Sequence, residues 1–146
     1  MKTLSNKNNL QVLYEDNHII AVNKRVGDIV QGDKTGDKPL SDVVKEYIKD
    51  KYNKPGEVFL GVVHRLDRPT TGIVIFARTS KALTRLNELF ANRDTHKTYW
   101  AVVKNKPQQS SGTLVHYLVR NEKSNTSRAH AKEVPNSKKA SLEYKT

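Results

Sequence analysis

Asp67 stands between two arginines in the stretch Gly61-Val62-Val63-His64-Arg65-Leu66-Asp67-Arg68-Pro69-Thr70-Thr71-Gly72. Neighbouring cations favour a carboxylate over its acid and draw its pKa below the ordinary aspartate value of about 3.9. A carboxylate ionised at neutral pH can serve as a nucleophile or an electrostatic stabiliser, and it makes a poor general acid. Spacing alone also fits a surface turn with local ion pairs, whose energies are close to neutral. Other chemistries find less support. The chain has no cysteine, which excludes disulfides, thiolate metal sites and a cysteine nucleophile. His18, His96, His116 and His130 lack the spacing of metal-binding helices, so no metal site is expected. Gly32 to Lys38 has the wrong spacing for a phosphate loop. A glycosidase would need a second carboxylate near Asp67, and only Glu57 and Glu88 could supply it, if folding brings them close.

The elements around Asp67 are short. Val58–Val63 reads as a buried strand that delivers the polar turn His64–Thr71, and Gly72–Ala77 as a second strand that leaves it. Rigid flanks of this kind hold a loop in place for chemistry. Upstream, Leu10–Tyr14 and His18–Asn23 read as strands joined at Asp16-Asn17, and Gly27–Pro39 as a loop. Leu40, Val43, Val44, Tyr47 and Ile48 share a helical face that starts near Ser41 or Asp42. Ala82, Leu83, Leu86, Leu89 and Phe90 form the stripe of a second helix, capped by Thr79 or Ser80. Lys97–Val103 alternates with period two, which puts Tyr99, Ala101 and Val103 on one face and sends Trp100 to a core. Thr113–Val119 and Ala140–Tyr144 read as further strands, and Arg120–Lys139 as a mobile basic stretch, either a solvated loop or an arm that contacts a polyanionic partner. The strands are spaced too irregularly for a strict βαβ series. The expected class is α+β: a mixed, largely antiparallel sheet with helices packed on it, in one domain.

The formal net charge of +11 suits a polyanionic partner, nucleic acid before an anionic membrane surface. The polar start, Met1 to Leu10, has no signal core, and the longest apolar runs are far too short to cross a bilayer. A soluble, cytoplasmic protein is expected.

The segment around Asp67 resembles a family signature. His64-Arg65-Leu66-Asp67-Arg68, followed after Pro69 by Thr70-Thr71-Gly72, is similar to that of the RluA family of pseudouridine synthases. Thr71 stands where that family usually has serine, and it keeps the hydroxyl. Tyr14-Glu15-Asp16-Asn17-His18 and Ile19-Ile20-Ala21-Val22-Asn23-Lys24 resemble the family's opening strands, with Arg25 in place of a proline. Ala77-Arg78-Thr79-Ser80-Lys81-Ala82 and Lys97-Thr98-Tyr99-Trp100-Ala101 resemble two later segments, so that the likeness spans residues 10–146. The family's last motif, an Arg-x-His-Gln-Ile-Arg type helix start, is absent, together with the basic residue that pairs with its catalytic aspartate. So is an N-terminal RNA-binding module. The resemblance implies a pseudouridine synthase catalytic domain over residues 1–146, incomplete at its C-terminus.

It further implies that Asp67 is the catalytic aspartate, and that Tyr99 packs on the target uracil and assists proton removal. Arg65 would fill the place of the extruded base. Arg68, His64 and Thr70 are expected to bind or position the substrate, ribosomal or transfer RNA. The family uses no metal and no organic cofactor. Its reaction breaks the bond between ribose C1′ and uracil N1 and rejoins the base through C5, for which a carboxylate could attack C6 or C1′, or act at C2′. Extruding the base costs a few kcal/mol. Phosphate contacts to a basic surface and stacking on an aromatic face, about 1–3 kcal/mol per base, offset that cost. The alternative is an RNA-binding fragment of the same fold without catalysis. The residues leave the oligomeric state open.

Overall fold

The computed structural model describes residues 4–146. The chain divides into two compact units, Met1–Thr98 and Tyr99–Thr146. In the first, β1 (Val12–Glu15) and β2 (Ile19–Lys24) form an antiparallel hairpin. Asp16 makes its turn: one carboxylate oxygen accepts the backbone N–H of both His18 and Ile19, each at 2.7 Å. After an irregular segment comes α1 (Leu40–Lys51), then β3 (Gly61–Val62), β4 (Gly72–Ala77) and α2 (Ser80–Ala91). The sheet order is β1-β2-β4-β3, with every pairing antiparallel.

The core lies where the period-two strands meet α1. Ile20 and Val22 of β2, with Val74 and Phe76 of β4, sit opposite one another in register and are fully buried. Leu40, Val43, Val44 and Ile48 cover them at helical spacing. Each such side chain contributes about 1.5–3 kcal/mol by leaving water. The start of α1 takes Pro39 as its N-cap, without a side-chain bond, while Thr79 caps α2 by accepting the N–H of Ala82 at 3.1 Å. Gly61 lets α2 approach, because a Cβ there would lie 2.7 Å from a Leu83 methyl. Glu15 ties the far end of the hairpin to α1 and β4. It accepts from Tyr47, Lys51, Tyr52 and Arg78, and its side chain is only 7% exposed.

The second unit is a three-stranded antiparallel sheet, order β6-β5-β7, built from β5 (Ser111–Asn121), β6 (Thr126–His130) and β7 (Lys138–Lys145).

Four expectations change. Val58–Val63 was expected to be a strand throughout, yet only Gly61 and Val62 join the ladder, while Val58 and Leu60 pack on the core from outside it. Lys97–Val103 is not a strand: no described residue offers it a ladder, and alternation without a partner fixes no sheet. Trp100 is consequently not core but 99% exposed. Arg120–Lys139 holds a strand, β6, joined to β5 by a turn in which the Asn121 side chain accepts the N–H groups of Lys123 and Ser124 and Asn125 takes φ 50°. A ladder made of backbone bonds between polar residues leaves little hydrophobic signal to read.

Candidate active site

The β3–β4 connection, residues 63–71, carries Asp67. Leu66 is partly buried and packs on the core, so the loop is plugged into the sheet at its middle and the flanking Arg65 and Asp67 are exposed. Beyond Asp67 the chain turns sharply: Thr70 donates its N–H to the Asp67 carbonyl at 2.9 Å across Arg68-Pro69. The exit needs glycine, since Gly72 has φ 136°, a region that L side chains rarely enter.

Lys24 holds this turn from beneath. It is fully buried and sits opposite Gly72 in the β2–β4 register. Its ammonium donates to the carbonyls of Thr70 at 2.7 Å, Arg25 at 3.1 Å and Arg68 at 3.2 Å. Burial lowers its pKa, and the carboxylates of Asp28 and Asp67 oppose that shift. A buried cation is retained when every proton finds an acceptor. Sequence reading gave Lys24 no role, although a signal was present. Ile20, Val22 and Lys24 share one parity, so the lysine had to point the same way as two core residues. The Arg68 carbonyl also accepts the N–H of Gly27 at 2.9 Å, which ties the loop to the chain just after β2. An open hollow of about 410 Å³ lies beside the turn, lined by Asn23, Lys24, Arg25, Val26 and Thr71.

His64 fixes the entry side. Its Nε2 accepts the N–H of Ile75 at 2.9 Å, and its ring stacks on Phe90 at 4.9 Å between centroids and 17° between planes. Burial lowers its pKa, and the nearby Lys97 lowers it further, so the neutral ring with its proton on Nδ1 fits the contact. Arg68 pairs with Asp37 at 2.7 Å and Asp33 at 3.4 Å and donates to the Thr35 hydroxyl at 3.0 Å. Among the described residues none forms a hydrogen bond or ion pair with the Asp67 carboxylate, which stands open on a braced turn. Such a group can meet an electrophilic carbon without first giving up a partner. One loop thus presents His64, Arg65, Asp67, Arg68 and Thr70 together. Tyr99 belongs to the second unit, outside any strand, and is 62% exposed.

A family model described as RNA pseudouridylate synthase matches residues 18–146. The chain belongs to the RNA pseudouridylate synthase family. It is 35% identical over 104 residues to the pseudouridylate synthase RPUSD4, mitochondrial, of Xenopus tropicalis, covering 71% of this chain and 32% of that protein. It is 36% identical over 95 residues to a tRNA pseudouridine synthase C of Vibrio cholerae (65% and 37%). To the ribosomal large subunit pseudouridine synthase D of Xanthomonas campestris it is 38% identical over 94 residues (64% and 28%). The solved structure of human RNA pseudouridylate synthase domain containing 4 aligns with a TM-score of 0.75 at 24% identity, over 92% of this chain and 52% of that one. Human RNA pseudouridylate synthase domain containing 1 aligns at 0.71 and 22% identity, over 98% and 54%. The last two show a shared fold. The chain spans about a third of the length of these curated relatives and about half of the solved structures.

Proposed function

We propose that residues 1–146 form the Asp67-bearing part of a catalytic domain that isomerises uridine to pseudouridine within RNA. The observation that carries this reading is the Asp67 carboxylate, open to solvent on a turn that Leu66 and Lys24 hold rigid, in a chain of this family. Asp67 acts as the nucleophile, at C1′ or C6 of the target nucleotide. The bond from C1′ to N1 breaks, the base turns, a bond from C1′ to C5 replaces it, the bond to Asp67 is released, and N1 takes up a proton. C5 then loses its proton, with Tyr99 assisting and its ring packed on the uracil. Arg65 occupies the gap left by the extruded base, where a guanidinium can stack on the neighbouring bases. His64 and Thr70 position the loop, and Arg68 meets a phosphate.

Relatives named for tRNA and for the large ribosomal subunit direct the assay to both RNA classes. Pseudouridine formation in unmodified bulk transfer and ribosomal RNA is measured for this chain and for the gene product carried to its stop codon, each with and without Asp67→Asn. The longer form is expected to be active and its Asn variant inactive, with RNA affinity unchanged. Activity that survives Asp67→Asn would overturn the assignment. The alternative is an RNA-binding fragment without catalysis. Its support is the fraction of the relatives that the chain spans, and it requires salt-sensitive RNA binding with no turnover in either form. We place the protein in the cytoplasm, which fractionation tests. No helix among the described residues is long and apolar enough to cross a membrane.

A further inference from the structure

The segment between β2 and α1 leaves the body of the first unit and returns. Its base is pinned where the N–H groups of Leu40 and Ser41 donate to the carbonyls of Ile29 (2.7 Å) and Val30 (3.1 Å). Between these ties residues 31–38 are all exposed, and Gly36 turns the chain at φ 73°. Nothing in the hydrophobic core holds this excursion. Outside its base it touches Glu46 of α1, through Lys38, and Arg68, the residue after Asp67: Asp37 lies on one terminal nitrogen of Arg68, Asp33 and the Thr35 hydroxyl on the other. Asp33 also accepts the N–H of Thr35 at 2.8 Å, so the excursion is shaped to present these oxygens.

A guanidinium receives carboxylate and phosphate oxygens with the same planar fork. We propose that Asp33 and Asp37 are stand-ins for RNA phosphates on Arg68, and that the excursion 31–38 is a self-ligand which RNA must displace. This rests on the RNA reading above and says what the free protein does with its recognition arginine. Half-exposed pairs of this kind are worth little each, so a polyanion can exchange with them. A lone phosphate or a poorly seated RNA, making few other contacts, competes badly. The excursion thus raises the discrimination between RNA that seats fully on the loop and RNA that does not.

The test is a mutant cycle on binding of unmodified bulk transfer and ribosomal RNA, read at several salt concentrations, with folding checked by circular dichroism. Asp33→Asn with Asp37→Asn keeps the turn's acceptors and frees Arg68. It is expected to tighten binding about three- to thirty-fold. Arg68→Gln should weaken the unaltered chain only slightly and cut the gain in the double-Asn background to that of a charge-matched control. Glu122→Gln with Glu133→Gln, two exposed acids of the second unit, controls for the change in net charge. If the double-Asn gain persists with Arg68→Gln, or equals that of the control, the proposal is overturned while the RNA reading stands. If no form binds either RNA in a salt-sensitive way, the RNA reading falls and the proposal with it.

Discussion

Lys24 is the residue on which the geometry of Asp67 depends most. Its ammonium is the shared donor for three carbonyls, two of them within three residues of the carboxylate. Lys24→Met would keep the apolar stem and leave the Thr70 carbonyl without this donor. The expected loss of stability is about 1–3 kcal/mol, read from urea unfolding by far-UV circular dichroism. Gly72→Ala should cost a similar amount, about 1–3 kcal/mol, because its backbone angle admits no Cβ without strain. His64 gives a pH signature. The unfolded chain takes up a proton near pH 6.5, whereas burial makes the folded ring resist it. Protons therefore bind the unfolded state first, and stability falls as the pH drops below about 6.5. Between about pH 7.5 and 5.5 the urea midpoint of the unaltered chain should fall more than that of His64→Gln, whose amide oxygen can still accept from Ile75. Equal falls would mean that the ring at 64 is not what titrates. The exposed loop that carries Asp67 could be read from the sequence because its residues form a dense polar run between two apolar ones. Lys24 is harder to read, because a lysine ending a strand usually reaches for water, and its parity with Ile20 and Val22 is the one sign that it points inward.

Elements whose apolar periodicity was covered by a partner could be read before the fold was known. The second helix starts at the expected cap, and β4 has the expected bounds, Gly72–Ala77. The failures have one physical cause. A pattern of side chains shows which face would be buried, but a strand exists only where another backbone completes its hydrogen bonds. Lys97–Val103 has the pattern without the ladder, and Thr126–His130 has the ladder with almost no pattern. The contact between α2 and β3 is equally a matter of backbone approach. Gly61→Ala should destabilise the first unit by about 1 kcal/mol, since a Leu83 methyl must move aside, and Leu83→Ala should remove that penalty in the double variant. An additive double variant in urea unfolding would show that the helix does not close on Gly61.

At the scale of the molecule, charge and packing are distributed unequally. Tyr99–Thr146 carries nine Lys and Arg against three Asp and Glu, and none of the fully buried core side chains. The two compact units meet in sequence at Thr98–Tyr99, and the chain there is open: Tyr99, Trp100, Val102 and Val103 are all more than half exposed. Brief chymotrypsin treatment is expected to cut first at Tyr99 or Trp100, before Phe76 or Tyr47, with mass spectrometry identifying the ends. A first cut at Phe76 would contradict the buried core described above.

The exposure of Trp100 also determines what light can report. It is the only tryptophan in the chain, so its ultraviolet emission comes from an indole already bathed in water. Melting the sheet that carries Asp67 would barely alter that signal. An adduct that shields the indole would move the emission towards the blue, with the enclosed core unchanged. The protein thus carries a fluorophore that is nearly blind to its own unfolding and sensitive to being covered.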